Sequence, residues 1–420
     1  MKLQKLFLIL LLSIMLIPSY TIASSPSYWI KWTWNTTEDE LGQNVYGIGN
    51  HLYLSGLYTN ASGEDLSTKY LLMKWTKNGF LLWKTIGSAE TNSTLSIWAD
   101  QDFVYFTAIT QYLYSNVYQY PTNGELSFAA VSGPRFYYDL MGYNNYYYIV
   151  GSRNESANVD LTLVKCYDVY QGVSSHPDSM GLWAQEFGEQ GIEIGYDVWV
   201  DESGIYSLGF STSYSENKDL LLIQWDWAGN LHWNRTWSIP FKNVIGKSVI
   251  AKDDMIITLG MIQSNSTGDS DVLLVCWDEE GNELWNNTWG GSGSEIAESV
   301  WILQNSIYCI GHTDRKVFVV EFNQTGDFVE NHSVPELYHN SEYSKIWGDE
   351  SSIFITGYTF TSNGDTALEL LKFDPEGTEG KVILGYSFVC VISIVSISLL
   401  IFILQMKGLI KKRNKEGGVD

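Results

Sequence analysis

Between about residue 28 and residue 377 the chain alternates short apolar runs with polar punctuation. Runs such as Tyr196-Asp-Val-Trp-Val200 and Leu220-Leu-Leu-Ile-Gln-Trp225 are rich in β-branched and aromatic residues. Gly, Asn and Asp cluster between them, which is the signature of strands joined by turns. No long stretch outside residues 382–404 keeps the 3.6-residue period of an amphipathic helix. Four runs recur in each unit, here called strands a to d. In one unit, strand a is Tyr196 to Val200, a tight turn follows at Asp201-Glu-Ser-Gly204, and strand b is Ile205-Tyr-Ser-Leu-Gly209. A polar loop leads to strand c at Leu220, and a turn at Ala228-Gly-Asn230 leads to strand d, Leu231-His-Trp233.

The units repeat. Asp219, Trp225, Gly229, Trp233 and Thr236-Trp237 recur 52 positions on, at Asp271, Trp277, Gly281, Trp285 and Thr288-Trp289. Trp75, Gly79 and Trp83 keep the same internal spacing. A second marker is a β-rich run ending in a small residue: Gly56, Ala108, Gly151, Gly209, Gly260, Gly311 and Gly357. Ten residues before four of these stand Trp98, Trp199, Trp301 and Trp347, with Tyr46 filling that place in the first unit. Seven markers 43 to 58 residues apart suit four-stranded propeller blades. The fixed register of Trp75, Trp225, Trp277, Trp233 and Trp285 assigns them to packing between blades, where a large ring fills the wedge between sheets.

The last unit has strands a, b and c but no d. Near the start of the chain, Thr33-Trp34 matches the strand-d pairs Thr236-Trp237 and Thr288-Trp289. The expected fold is therefore all-β: a seven-bladed β-propeller closed by an N-terminal strand, followed by one C-terminal transmembrane α-helix.

Asp271 to Trp277, Gly281-Asn-Glu-Leu-Trp285, Thr288-Trp-Gly-Gly291 and Ile307-Tyr-Cys-Ile-Gly-His-Thr313 resemble the SBBP-type β-propeller repeats of prokaryotic surface proteins. The resemblance spans roughly residues 28–377 and implies an exported binding or structural role, not a reaction. Gly281 and Trp285 also fit the end of the blade-docking motif of quinone-dependent dehydrogenase propellers. Asp278 stands one place too close to the glycine for that motif, and its Ala and Thr are absent.

The two ends suggest where the protein resides. Residues 1–23 read as a signal peptide: Lys2 and Lys5, an apolar run over 6–17, then Thr21 and Ala23 placed for cleavage. Residues 28–377 form the propeller ectodomain and 378–381 a short juxtamembrane linker. Residues 382–405 read as a transmembrane helix. The tail, 406–420, carries Lys407, Lys411, Lys412, Arg413 and Lys415, so it reads as cytoplasmic. The chain as a whole carries −23. With +3 on the tail and +2 on the leader set apart, residues 24–381 hold −28. That excludes the basic face a nucleic-acid binder needs.

Chemistry-bearing motifs are few. The six His show no His-Glu-x-x-His spacing, and no Gly-x-Ser-x-Gly elbow occurs. The sequence thus names no catalytic residue, no metal ligands and no cofactor. Cys166, Cys276 and Cys309 lie in strand-like runs and read as buried thiols, with one disulfide as the alternative. Asn35, Asn60, Asn92, Asn154, Asn234, Asn265, Asn286, Asn323 and Asn331 each open a glycosylation sequon. Tyr112, Tyr114, Tyr214 and Tyr358 fall outside the packing register, in or at the start of b–c loops, and are the ligand-binding candidates. The leading expectation is a membrane-anchored, cell-surface binding or adhesion module with a glycan or protein partner. The alternatives are an extracellular propeller hydrolase or quinone-dependent oxidoreductase, and a purely structural envelope protein.

Alternating strand directions put the b–c and d–a connections on one face and the a–b and c–d turns on the other. Strand c of the last unit ends at Phe373, and only residues 374–381 precede the apolar span. Those residues reach at most ~29 Å. The short turns are thus expected to face the bilayer and the long b–c loops to point away. Epitope tags at Ser62 and Ser266 should be accessible on intact cells, and tags at Glu202 and Glu279 poorly so. The reverse accessibility contradicts this orientation.

Overall fold

Strand a of each unit meets strand b in an antiparallel pair with a bulge at the same place in every blade. The small-residue marker of the sequence is the strand-b residue opposite it: Gly42 pairs with Gly56, Gly195 with Gly209 and Gly246 with Gly260. The bulge pushes a strand-a carbonyl toward strand b, and a Cβ on Gly209 would run into the carbonyl oxygen of Ile194. A glycine opposite the bulge lets the backbones approach. Blade 2 makes do with Ala108, and there the strand shifts register a second time, between Thr91 and Ser93.

The computed structural model describes residues 28–375, except 35, 37, 61–66, 111–114, 125–127, 132–134, 156–157, 168–180, 189, 314–316, 333, 335–341 and 362–363. The described elements are strands in four-stranded antiparallel sheets. Blades 1 and 2 are joined because one long strand, Leu81–Ala99, serves as strand d of the first and strand a of the second. The sheets of blades 3 to 6 read a-b-c-d in chain order, while blade 7 takes its fourth strand from the start of the chain. The seven inner strands touch their neighbours in turn, and strand a of blade 1 (Asp39–Ile48) returns to strand a of blade 7 (Glu342–Gly348), so the ring closes. Trp29–Phe373 is one compact unit. The expected signal peptide, linker, membrane helix and tail lie outside the described residues. Among the described residues no helix is long and apolar enough to cross a membrane.

Two kinds of seam join neighbouring blades. On the rim of blades 1, 3, 4 and 5, a strand-d indole lies over the c–d turn glycine of the following blade. Trp83 covers Gly124, Trp183 covers Gly229, Trp233 covers Gly281, and Trp285 covers Gly326. Each of these glycines has φ between 77° and 86°, a region that penalises side-chain-bearing residues. The indole N–H donates to a turn carbonyl: Trp83 to Thr122 at 3.1 Å, Trp233 to Glu279 at 3.0 Å, and Trp285 to Gln324 at 3.0 Å. Further in, buried side chains of facing sheets interdigitate, as Trp233 and Trp277 do within one cluster. Trp225 and Trp277 also donate to hydroxyls of their own strand b, at Ser207 and Thr258. Cys166, Cys276 and Cys309 are buried in these sheets as thiols, not as disulfides.

The N-terminal strand, Tyr28–Trp34, is the fourth strand of blade 7, hydrogen-bonded beside strand c, Thr366–Asp374. Lys31 pairs with Glu369 at 2.7 Å, and the Trp29 and Phe373 rings lie 4.4 Å apart. Trp32 lies against the Gly79 turn of blade 1, and Trp34 meets Trp75 edge-on at 6.5 Å. The first strand of the chain therefore makes the same rim seam to blade 1 that other strands d make. Deleting residues 28–35 removes a whole outer strand and should lower the melting temperature sharply and promote aggregation through the bared edge. Trp32→Ala should cost about 2–4 kcal/mol. An unchanged melting temperature in the deletion variant contradicts the closure.

Candidate functional site: the axial channel and its mouth

The residue following each bulge is polar in all seven blades: Asn44, Ser96, Asp139, Asp197, Ser248, Ser299 and Lys345. Strand a is the innermost strand of its sheet, so it has a pairing partner on one side only. Its inward N–H groups need acceptors elsewhere. The preceding blade supplies them. Leu140 N–H donates to Ser96 Oγ at 3.2 Å and Val198 N–H to Asp139 Oδ2 at 3.0 Å. Val249 N–H donates to Asp197 Oδ2 at 2.7 Å and Val300 N–H to Ser248 Oγ at 3.4 Å. Asn44 does the converse, donating to the Thr94 carbonyl at 3.2 Å.

Three of the seven are ionisable and converge. Lys345 crosses from blade 7 and places Nζ 2.9 Å from Asp197 Oδ1 and 3.9 Å from Asp139 Oδ1. Burial pushes the Asp139 carboxyl up to about 8, and the adjacent Asp197 carboxyl, to which it is hydrogen-bonded, adds to this against the opposing pull of Lys345. Burial alone would lower the Lys345 pKa, but the two carboxylates outweigh it and hold the ammonium above its usual range. The cluster thus sets the Lys345 ammonium against two buried carboxyl groups, of which Asp139 holds its proton far more tightly than a free carboxyl does. It surrounds a cavity of about 130 Å³, room for a few waters and short of the usual ligand pocket.

Two residues further along strand a, toward the a–b turns, the channel turns aromatic. Trp199, Trp301, Trp347, Tyr46 and Trp98 form an arc, with successive ring centroids 6.1, 6.0, 6.0 and 6.3 Å apart. Met141 and Ile250 take the equivalent places in blades 3 and 5. Tyr46 is half-buried; desolvation of its hydroxyl raises it to about 12, and it accepts a hydrogen bond from Trp98. Beyond Trp199 and Trp301 a second cavity of about 450 Å³ opens among the turns of blades 5, 6 and 7, lined also by Leu303, Gly348, Lys252, Gln304, Asp349 and Glu350.

The ligand candidates read from the sequence are not brought together there. Tyr214 is exposed on the b–c loop of blade 4. Tyr358 is not in a loop: strand b of blade 7 continues through it to Phe360, whose ring lies 5.8 Å away. Tyr112 and Tyr114 lie outside the described residues, as does Asn35. Among the other sequons, Asn92, Asn154, Asn265, Asn286 and Asn331 are exposed, while Asn60, Asn234 and Asn323 are half-buried. Sequence reasoning registered the tryptophans at the marker but missed Asp139, Asp197 and Lys345. The available signal was the polar residue two places before each marker aromatic, which changes identity from blade to blade.

No family model matches the chain, and no curated protein matches it. Solved structures similar to it are propellers at low identity. The Dos1 propeller is 11% identical with a TM-score of 0.49, over 82% of this chain and 94% of that one. The β-propeller domain of the Trilobed protease from Pyrococcus furiosus is 9% identical at 0.47, over 80% and 94%. A protein of unknown function from Dyadobacter fermentans is 9% identical at 0.49, over 84% and 100%. The propeller assignment rests on the chain's own strand pairing and ring closure.

A carboxyl whose pKa is raised on folding stabilises the fold below its unfolded value, near 4, and loses that contribution as pH rises to its folded value. Asp139 should therefore contribute a stability that declines between pH 4 and about 8. Asp139→Asn keeps an acceptor for Val198 and removes the titration. The stability difference between wild type and variant, from urea unfolding, should shift against wild type across that range. A pH-independent difference contradicts the protonated state of Asp139.

Proposed function

We propose that the protein is an exported, membrane-anchored binding module, with the propeller as scaffold and the axial mouth among the a–b turns as the ligand seat. The observation that carries this reading is the mouth cavity. Its volume of about 450 Å³ lies in the range of ligand pockets, and its aromatic walls stand on paired inner strands that hold them rigid. The signal-like leader, the apolar stretch 382–404 and the basic tail support export and anchoring. Binding is favoured over hydrolysis by the state of the channel carboxylates. Asp139 and Asp197 each give one oxygen to a backbone N–H, and the other faces Lys345. Neither is free to act as nucleophile or base.

The full-length protein in detergent, screened against glycan arrays and defined peptides, should bind at least one class saturably. Trp301→Leu should weaken that binding roughly tenfold or more. Binding indifferent to Trp301, with the fold intact by circular dichroism, removes the mouth as the seat. Turnover of a bound glycan or peptide overturns the reading in favour of the enzyme.

A further inference from the structure

The mouth's chemistry narrows the ligand. Trp301 lines the cavity, with the nitrogen edge of its indole against Gly348. Asp349 and Glu350, on the a–b turn of blade 7, line the mouth cavity, and the a–b turns of blades 4 and 5 carry Asp201-Glu202 and Asp253-Asp254 on an adjoining cavity that shares Ala251 and Lys252 with it. Glu202, Asp253, Asp254 and Glu350 are exposed, so their charge is not already matched inside the protein. One ammonium, on the exposed Lys252, lines the same cavity, and Glu350 with the adjoining Asp253-Asp254 turn outweighs it.

The protein also contains a worked instance of the recognition these groups allow. Lys77, on the c–d turn of blade 1, places Nζ 4.8 Å from the centroid of the Trp347 ring and 2.6 Å from Asp349 Oδ2. Burial would raise the Asp349 pKa, but Lys77 and the backbone N–H groups of Ser351 and Ser352 hold it below the usual range. An aromatic face of the arc and an a–b turn carboxylate thus clasp an ammonium side by side with the open cavity. Trp347 and Trp301 are adjacent in that arc. Where Lys77 fills the seat at Trp347, the seat at Trp301 and Trp199 keeps the same two elements, an aromatic wall and a carboxylate rim, open to solvent.

We propose that the axial mouth binds an organic ammonium group. The ring quadrupole of Trp301 and Trp199 attracts the cation, and Glu350 with the Asp253-Asp254 turn provides the countercharge. This assignment rests on the mouth being the ligand seat and adds the chemical class. A free polyamine and the lysine side chains of a partner chain offer the same chemistry, and the test separates them.

Calorimetry on the full-length protein in nonionic detergent would use two probes: spermidine, and a peptide of alternating Lys and Gly with its fully acetylated counterpart. Either probe should bind saturably, more weakly as salt rises, and the acetylated peptide should not. The triple variant Glu350→Gln, Asp253→Asn, Asp254→Asn should lose roughly tenfold or more in affinity. Asn tolerates the left-handed backbone at 253 and 254, where φ is 52° and 62°, so the fold is retained. A control with the same charge change on exposed sites elsewhere, Glu216→Gln, Asp269→Asn, Glu330→Gln, should lose little. Binding of spermidine alone identifies a small polyamine, and binding of the peptide alone identifies partner lysines. Absence of binding by both probes, or an equal loss in the control, overturns the proposal. Trp301-dependent binding of a neutral glycan instead removes the ammonium assignment and leaves the binding module standing.

Discussion

An innermost strand has a hydrogen-bonding neighbour on one side only, and seven such strands face each other around the axis of this protein. Their inward amides are too buried to rely on bulk water and cannot pair with one another. The chain answers with a bulge in every strand a and a polar residue directly after it. In four of the seven, Ser96, Asp139, Asp197 and Ser248, that side chain accepts from the next blade's amide. Each such bond contributes roughly 0.5–1.5 kcal/mol, more where the acceptor is charged. Leaving the amide unmet would cost more than the bond gains.

Much else follows from that requirement. The bulge demands a small residue opposite, so the strand-b glycines mark every unit. The acceptors include two carboxylates, Asp139 and Asp197, and their burial calls for the ammonium of Lys345 and a retained proton. A well-bonded polar floor then closes the narrow part of the channel. The wider aromatic mouth beyond it is left as the place where the axis can meet a ligand.

The repeat, the strand order and the N-terminal closure were legible in the sequence because each depends on local, recurring chemistry. Gly281 and Trp285 keep their spacing since one must fit under a neighbouring indole and the other must be such an indole. Trp183 escaped because the connection before it, 168–180, is longer than in the other blades and breaks the spacing. The Asp139–Asp197–Lys345 cluster escaped for a different reason. Its members stand in three blades, with the partners of the closer ion pair 148 residues apart, and the ring position takes side chains as different as Ser, Asp and Lys. Periodicity locates that position; only ring closure reveals which residues meet across it. The face carrying the built cavity is likewise a matter of geometry, since loop length alone drew attention to the opposite side.

Amide hydrogen exchange tests the sealing of the inner edge most directly. Val198 and Val249 have no strand partner for their inward amides, yet both should exchange as slowly as the sheet interior. Asp197→Ala should speed exchange at Val249 and leave Val198 protected by Asp139. Fast exchange at both positions in the wild-type protein, at the rate of the exposed turns, would contradict the account.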